Sequence, residues 1–431
     1  MRLFHKAYTP AIALLLATGM WLYLLQVMLP FERQSYAAIG QPQNVGDLYP
    51  SWYGSRELLL HGRDPYSRAI AGEIQTAYFG HPLDFKHASD RGKEDQRFYY
   101  PLYVAFFLAP TVAMPFPAVQ ILMRCVLVLA TAASVLLWFY ALRWHPHWRA
   151  RLTVLLIVLS CPAFVQGIKL QQLGLLVAFF FAACAALITR GNLFWAGFFL
   201  ALATLKPQLA IMPVAWLVIW STGDWKGRQR LLWGFGGTMV ALVGAAQLLS
   251  PGWLGPFLSG LRAYPHYVVM NSLLDLYLTP VIATPAGLVA LVALAIAGFR
   301  WRREAVSSDS FFGRFSMVLA VAILILPTLL PPFNQILLLP GFLILIRHWK
   351  NLSNGGRAVK GIGALGRAVF FWPWLAAPIL VIVHLLARSV ALGNLWLSPL
   401  AMSFGVPPLL LVLLLTWISK KDAAVGVRET V

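Results

Sequence analysis

The sequence predicts an all-α polytopic membrane protein with about 12 transmembrane helices (12–13) and a long first outer loop that carries juxtamembrane helices. Three observations predict it. Hydrophobic residues make up 59% of the 431 residues and charged residues only 11%, against roughly 25% charged in soluble domains. Apolar runs recur along nearly the whole chain, many of them close to the roughly 20 residues that a helix needs to span a bilayer. Lys and Arg collect in short segments between those runs, RWHPHWRAR (143–151), GDWKGRQR (223–230), FRWRRE (299–304), RHWK (347–350) and KK (420–421), the mark of cytoplasmic loops. The net charge of +19 is therefore a topology signal. No basic soluble module exists that would hold nucleic acid.

The expected spans are 10–30, 98–115, 118–142, 152–168, 173–189, 192–205, 207–221, 231–250, 277–299, 315–330, 333–347, 368–388 and 398–419. The first follows a short basic start (Arg2, Lys6) with no small-residue cleavage site, so it reads as a retained helix. With the N-terminus and every basic loop inside, the spans from 118 onward alternate without conflict. The first span leads outside and 118–142 must begin outside. The segment 98–115, with Pro101, Pro110 and Pro115, is therefore expected to be re-entrant, which buried irregular backbone permits. Twelve crossings result, or thirteen if one basic loop breaks the rule. Cys125, Cys161 and Cys184 fall inside apolar runs with no metal-like spacing, so no metal site is expected.

This topology places 31–97, 169–172, 205–208, 251–276 and 331–335 outside. Nine of the fifteen acidic residues lie in 31–97, which makes that loop the place to look for a catalytic carboxylate. Asp47 precedes LYPSWYGSRELLLHG, which reads as a short helix. Asp is a favoured N-cap, Pro50 falls in the first turn and Gly62 suits the stop. Leu48, Trp52, Ser55 and Leu59 share one face, with Tyr49, Tyr53 and Leu60 beside it. Tyr and Trp favour the membrane–water interface, so the helix is expected to lie on the outer surface. Capping alone explains Asp47 in the plainest reading, and the same ionised carboxylate can serve as a base. Asp64, before Pro65, reads as a turn initiator.

The runs flanking Lys206 have about fourteen residues each, roughly 21 Å of helix against a ~30 Å hydrocarbon core. Lys206 is thus drawn inward, either snorkelling its ammonium to the surface or facing a polar partner such as a lipid-borne phosphate. KLQQLG (169–174) offers Lys169, Gln171 and Gln172, and PPFNQ (331–335) offers Asn334 and Gln335. Either they bind phosphate and sugar oxygens or they are polar helix ends meeting water. Loop 251–276, with Arg262, Tyr264, His266, Tyr267, Asn271 and Asp275, resembles a lid. Tyr49, Trp52, Asp64, His266 and Asp275 are the candidates for acceptor or lid contacts. Glycosyl transfer from a lipid phosphate needs a base for the acceptor hydroxyl and a cation for the departing phosphate, and Asp47 and Lys206 suit those roles.

At these residues the sequence resembles glycosyltransferase family 87, membrane mannosyltransferases of the GT-C fold that use a polyprenol-phosphate sugar. The resemblance rests on GDLYPSWYGSRELLLHGRDPYS (46–67), YYPLYVAFFLAP (99–110), KLQQLGLLVAFFF (169–181), Lys206-Pro207 after AGFFLALATL, and PPFNQILLLPGFLIL (331–345). It implies Asp47 as catalytic base and places Lys206 and Gln172 near the donor phosphate. It further implies an inverting displacement without a metal cofactor, polyprenyl-phosphate-sugar as donor, and a lipid or glycan acceptor at the outer face of a bacterial plasma membrane. Where the family often has a Gly-Gln-Asn-like turn and a Pro-Pro pair, this chain has Gln171-Gln172-Leu173-Gly174 and Pro101-Leu102. Residues 1–350 then form the catalytic module, and the helices of 351–431 serve as scaffold. Two other classes fit many apolar spans, a transporter or lipid flippase and a polysaccharide polymerase or ligase. The first places charges near the bilayer midplane, the second its key residues in a late outer loop.

Overall fold

The computed structural model describes residues 8–38, 45–91, 93–263, 271–327, 331–353, 356–386 and 393–429, and every regular element among them is helical. The first apolar run forms α1 (Thr9–Tyr23), passes through a π-helical turn at Leu24–Met28 and continues as α2 (Leu29–Ala38). The loop after it folds into α3 (Tyr49–His61) and α4 (Arg68–Phe79). α3 has Pro50 in its first turn and stops at Gly62, whose φ of 65° is the left-handed conformation in which glycine meets no Cβ penalty.

Residues 98–115 contain only the five-residue α5 (Val104–Leu108) and a 3₁₀ turn at Ala109–Thr111, far short of a crossing. α6 (Phe116–Ala141) follows. Next come α7 (Trp148–Val158) and α8 (Pro162–Lys169), bent by 55° at a break where Pro162 opens the second helix. A proline at a helix start needs no amide partner but cannot continue the helix before it. α9 (Gly174–Thr189), α10 (Leu193–Leu202), α11 (Pro207–Thr222) and α12 (Trp225–Leu249) form the middle of the bundle. α13 (Leu254–Ala263), α14 (Pro280–Trp301), α15 (Asp309–Ile325), α16 (Leu339–Arg347), α17 (Trp349–Ser353), α18 (Arg357–Leu386), α19 (Ser398–Ala401) and α20 (Val406–Glu429) complete the chain.

Among the described residues six helices are long and apolar enough to cross a membrane, or seven if the bent α7–α8 pair is one span. Helix length thus supports six or seven of the twelve expected crossings. Five apolar helices have only 10–17 residues, about 15–26 Å at 1.5 Å per residue. α9 is buried over most of its length, while α10 and α11 keep Phe194, Trp195 and Ile211 exposed. Lys206 joins two of these short helices and is only 6% exposed. By contrast α14 is apolar yet mostly exposed, with Val281, Leu288 and Val289 on its open face, as lipid contact requires.

The close approach of α10 to α12 depends on two glycines. A Cβ at Gly197 would lie 2.0 Å from the Leu231 carbonyl oxygen, and one at Gly234 would lie 1.9 Å from that of Phe194. Small residues let helix backbones touch, and in lipid such packing is a main source of association. Gly197→Leu is therefore expected to force α10 off α12 and cost about 3 kcal/mol or more, read as a lower midpoint of thermal aggregation in detergent. Gly236→Leu, on α12 where a Cβ meets nothing within 4 Å, should leave the midpoint unchanged. At the opposite ends of α15 and α20, Arg314 bridges Glu304 (2.6 Å) and Asp422 (2.9 Å).

The position of α3 corrects one expectation. Leu48, Trp52 and Ser55, read as an interfacial face, are buried at 0%, 5% and 0% exposure. The helix packs against α5 inside the main core. Trp52 donates its indole N–H to the Thr111 carbonyl (3.2 Å), and Tyr49 stacks on Tyr53 and meets Phe116 edge-on at 4.9 Å. An aromatic row with one polar tip per ring suits an interface and a polar-studded core equally well. Here the core claims it.

Candidate active site

Asp47 does not cap α3. The cap position is Leu48, without a side-chain hydrogen bond, and the carboxylate turns to another element. Two backbone features aim it. Gly46 adopts φ 81°, and the Asp47 amide donates to the Leu170 carbonyl at 3.0 Å. A Cβ at Gly46 would sit 2.7 Å from Gln171 Oε1 and 3.3 Å from the Leu170 carbonyl oxygen, and the positive φ itself favours glycine there. Tyr78 of α4 closes the clamp by donating its hydroxyl to the Gly46 carbonyl at 2.6 Å.

The facing segment is the turn between α8 and α9. Gln171 takes φ 51°, the left-handed conformation that reverses the chain, and its side-chain amide donates to the Lys169 carbonyl at 2.6 Å. The Gln172 amide N–H then bonds the Gly167 carbonyl at 2.8 Å, which points the Gln172 side chain inward. Its Nε2 donates to Asp47 Oδ2, and its Oε1 accepts from Lys206 Nζ. A carboxylate can only accept and an ammonium can only donate, so the charges at its two ends fix the orientation of the amide. Gln172 is 3% exposed and Lys206 6%, while Asp47 is half-buried.

Lys206 lies before Pro207, which drives it out of helical conformation (φ −118°, ψ 90°) and turns its side chain off the helix axis into the site. The ammonium lies 5.4 Å from the centre of the Phe333 ring and 5.9 Å from that of Tyr100, distances at which ring faces attract a cation. With one N–H directed at Gln172 and no other hydrogen-bond partner among the described residues, two donors remain for an anion. Burial pushes the Asp47 carboxyl above the ordinary carboxylate range, opposed by the charge of Lys206, the Gln172 hydrogen bond and the charge of Lys169.

The other expected site residues divide. Lys169 pairs with Glu32 of α2 at 2.6 Å, so its charge is already matched. Gln171 serves the turn, accepting from Gln120 (3.4 Å) while donating to Lys169. Asn334 is 3% exposed and lies beside Gly174 at the start of α9. Asp64 is exposed and takes the Tyr66 amide at 3.0 Å, the turn role that the sequence suggests. Asp275 accepts from the Ser272 amide (2.6 Å) and hydroxyl (2.7 Å) within its own turn. Tyr49 and Trp52 are core pillars. His266 lies outside the described residues.

Four neighbours of the site go unmarked in the sequence reading. Tyr100 and Phe333 stood inside the quoted blocks, but nothing in their spacing shows that their rings meet one lysine. Gln120, a lone amide in the apolar α6, donates to the Val45 carbonyl at 3.2 Å; an isolated polar residue in an apolar run was its signal. Glu94 lies near enough to Asp47 that its surroundings and then that charge raise its carboxyl. Among the described residues no group of three or more His, Cys, Asp or Glu is placed to hold a metal.

Fold and site together define an all-helical integral membrane protein with an embedded carboxylate–amide–ammonium row. The chain matches the model of glycosyltransferase family 87 over residues 98–330, just over half its length, and belongs to that family. The match contains Gln172 and Lys206; Asp47 precedes it. Neither a curated protein nor a solved structure matches the chain. The protein is thus a membrane glycosyltransferase, with a sugar donor and an acceptor as its substrates.

Proposed function

We propose that this glycosyltransferase moves mannose from a polyprenyl phosphate to an acceptor hydroxyl at the outer face of a bacterial plasma membrane. The observation that carries the reading is the Asp47–Gln172–Lys206 row, which sets a base beside a buried cation with spare donors. Asp47 takes the proton of the acceptor hydroxyl. The acceptor oxygen bonds to the anomeric carbon, and the bond from that carbon to the lipid phosphate breaks, its electron pair leaving on the phosphate oxygen. Lys206 stabilises that charge, helped by the positive end of the α11 dipole at whose start it lies. One displacement inverts the anomeric centre.

A lipid donor also needs a place for its hydrocarbon. A cavity of about 250 Å³ lies between α1, α7, α16 and α18, lined by Leu16, Val158, Leu339, Leu343, Phe370 and Trp374. Its wall includes Gln335, two residues from the Phe333 ring over Lys206. The buried Gln335 Nε2 has no hydrogen-bond partner among the described residues. This apolar lining beside the Phe333 segment supports reading the cavity as the place of the donor's prenyl chain, with the C-terminal helices, otherwise scaffold, as one wall of it.

The test is incubation of purified protein with radiolabelled polyprenyl-phosphate-mannose and a lipid or glycan acceptor. Labelled product is expected, and a donor left intact with every acceptor sinks the reading. Filling the cavity should discriminate by chain length. Ala163→Trp, on its wall, is expected to raise KM about tenfold for a long-chain donor, the loss of roughly two buried methylenes. A farnesyl-chain donor should be affected by less than about twofold on the same scale. Equal effects on both donors would remove the chain from this cavity.

A further inference from the structure

We propose that Gln172 is a positioning residue that makes the base answer to the donor, its amide tying Asp47 to Lys206 so that a phosphate arriving at Lys206 is felt at Asp47. The proposal rests on the transfer reading above and adds a coupling to it. Gln172 has no freedom to serve elsewhere: it is 3% exposed, its backbone is pinned to Gly167 at 2.8 Å, and both ends of its amide are engaged. It is the shared neighbour of the two groups that handle the two substrates.

Several charged or titratable groups face Asp47. Lys206 comes from the start of α11, Lys169 from the end of α8, Glu94 from the segment before α5, and Tyr78 from α4. Lys169 acts on Asp47 only through its charge and is itself paired with Glu32. Lys206 alone both reaches Asp47 through a hydrogen-bonded bridge and stands where the donor anion is proposed to bind. Without donor, its charge favours the ionised carboxylate and holds Asp47 a weaker base than burial alone would make it. An anion at Lys206 cancels that field. Asp47 then becomes the stronger base only when a sugar is in place to be attacked, which favours donor binding before acceptor activation.

The coupling has a kinetic signature. The acid limb of kcat reports the donor-loaded enzyme and that of kcat/KM for the donor reports the free enzyme. In the wild type the limb of kcat should lie at higher pH, and in Gln172→Leu the gap should narrow, since the direct field of Lys206 remains but the amide bridge to Asp47 is lost. The same variant should lose about ten- to a hundredfold in kcat, the cost of a misplaced reacting group, while its Kd for decaprenyl phosphate, the sugar-free probe, changes less than about threefold, under 1 kcal/mol of binding. Gln172→Glu keeps the length of the side chain but sets a carboxylate against Lys206, which neutralises that charge in the free enzyme as the donor phosphate would, so it should raise the acid limb of kcat/KM toward that of kcat and also narrow the gap. An unchanged gap in both variants overturns the coupling. So does a Kd weakened more than tenfold with normal kcat at saturation, which would make Gln172 a donor ligand. Failure of the wild type to consume donor, by contrast, removes the transfer reading itself and the coupling with it.

Discussion

Asp47→Asn is expected to lower sugar transfer by about 10³-fold, within the range that a positioned general base contributes, while expression and detergent-solubilised stability stay near wild type. The substitution keeps the shape of the side chain, and the asparagine carbonyl can still accept from Gln172 Nε2. The backbone anchors, Asp47 N–H to Leu170 and Gly46 carbonyl to Tyr78, do not involve the side chain at all. What vanishes is the ability to take a proton. The pH profile supplies a second check with a definite sign. A base must be ionised, and burial raises the Asp47 carboxyl above its ordinary value, so wild-type activity should fall on acidification at a higher pH than the ~3.9 of a free aspartate would set. The residual activity of Asp47→Asn should lack that limb. Near-normal turnover by the variant would dismiss Asp47 as the base.

Lys206→Met carries the second large effect. Methionine preserves the unbranched stem between the Tyr100 and Phe333 rings and removes only the charge. Loss of a preorganised donor at a developing anion costs about 10²–10³ in kcat. Binding of decaprenyl phosphate should weaken as well, since the ammonium meets the anion before and during the reaction. Gln172 Oε1 would also be left unpaired in a buried setting, which costs about 1–3 kcal/mol and should appear as a modestly lower thermal midpoint. Lys206→Arg retains the charge but not the compact point geometry, so it should recover part of the activity. Equal turnover for the methionine and wild-type proteins would detach the phosphate from Lys206.

Much of this architecture was legible in residue types. The apolar runs marked nearly every long helix, Gly62 marked the end of α3, Asp64 marked its turn, and the short runs around Lys206 showed that the lysine is drawn inward. The number of crossings was less legible, because an apolar helix of 10–17 residues inside a bundle and a full span draw on the same residues. The depth of α3 was not legible either, since aromatic residues with polar tips suit interface and core alike. Asp47 was marked by its company of interfacial residues, yet its capping role failed because the Gln171–Gln172 turn, far along the chain, claims the carboxylate. Asp275, Lys169 and Gln171 looked available from spacing alone; each is engaged by a partner that only folding supplies.

The long sequence distance within the site has a consequence for how the protein is made. Asp47 is translated early, but the amide that holds its carboxylate comes 125 residues later, and the ammonium that holds that amide comes 34 residues after that. At 5–20 residues per second, the nascent chain carries an undressed carboxylate for on the order of ten seconds. Throughout that interval α3 and α4 can bury their aromatic faces, but they cannot form the site. The Asp47–Gln172–Lys206 row is complete only with the insertion of α11, so a ribosome stalled short of Lys206 leaves Asp47 and Gln172 without the ammonium that orients them.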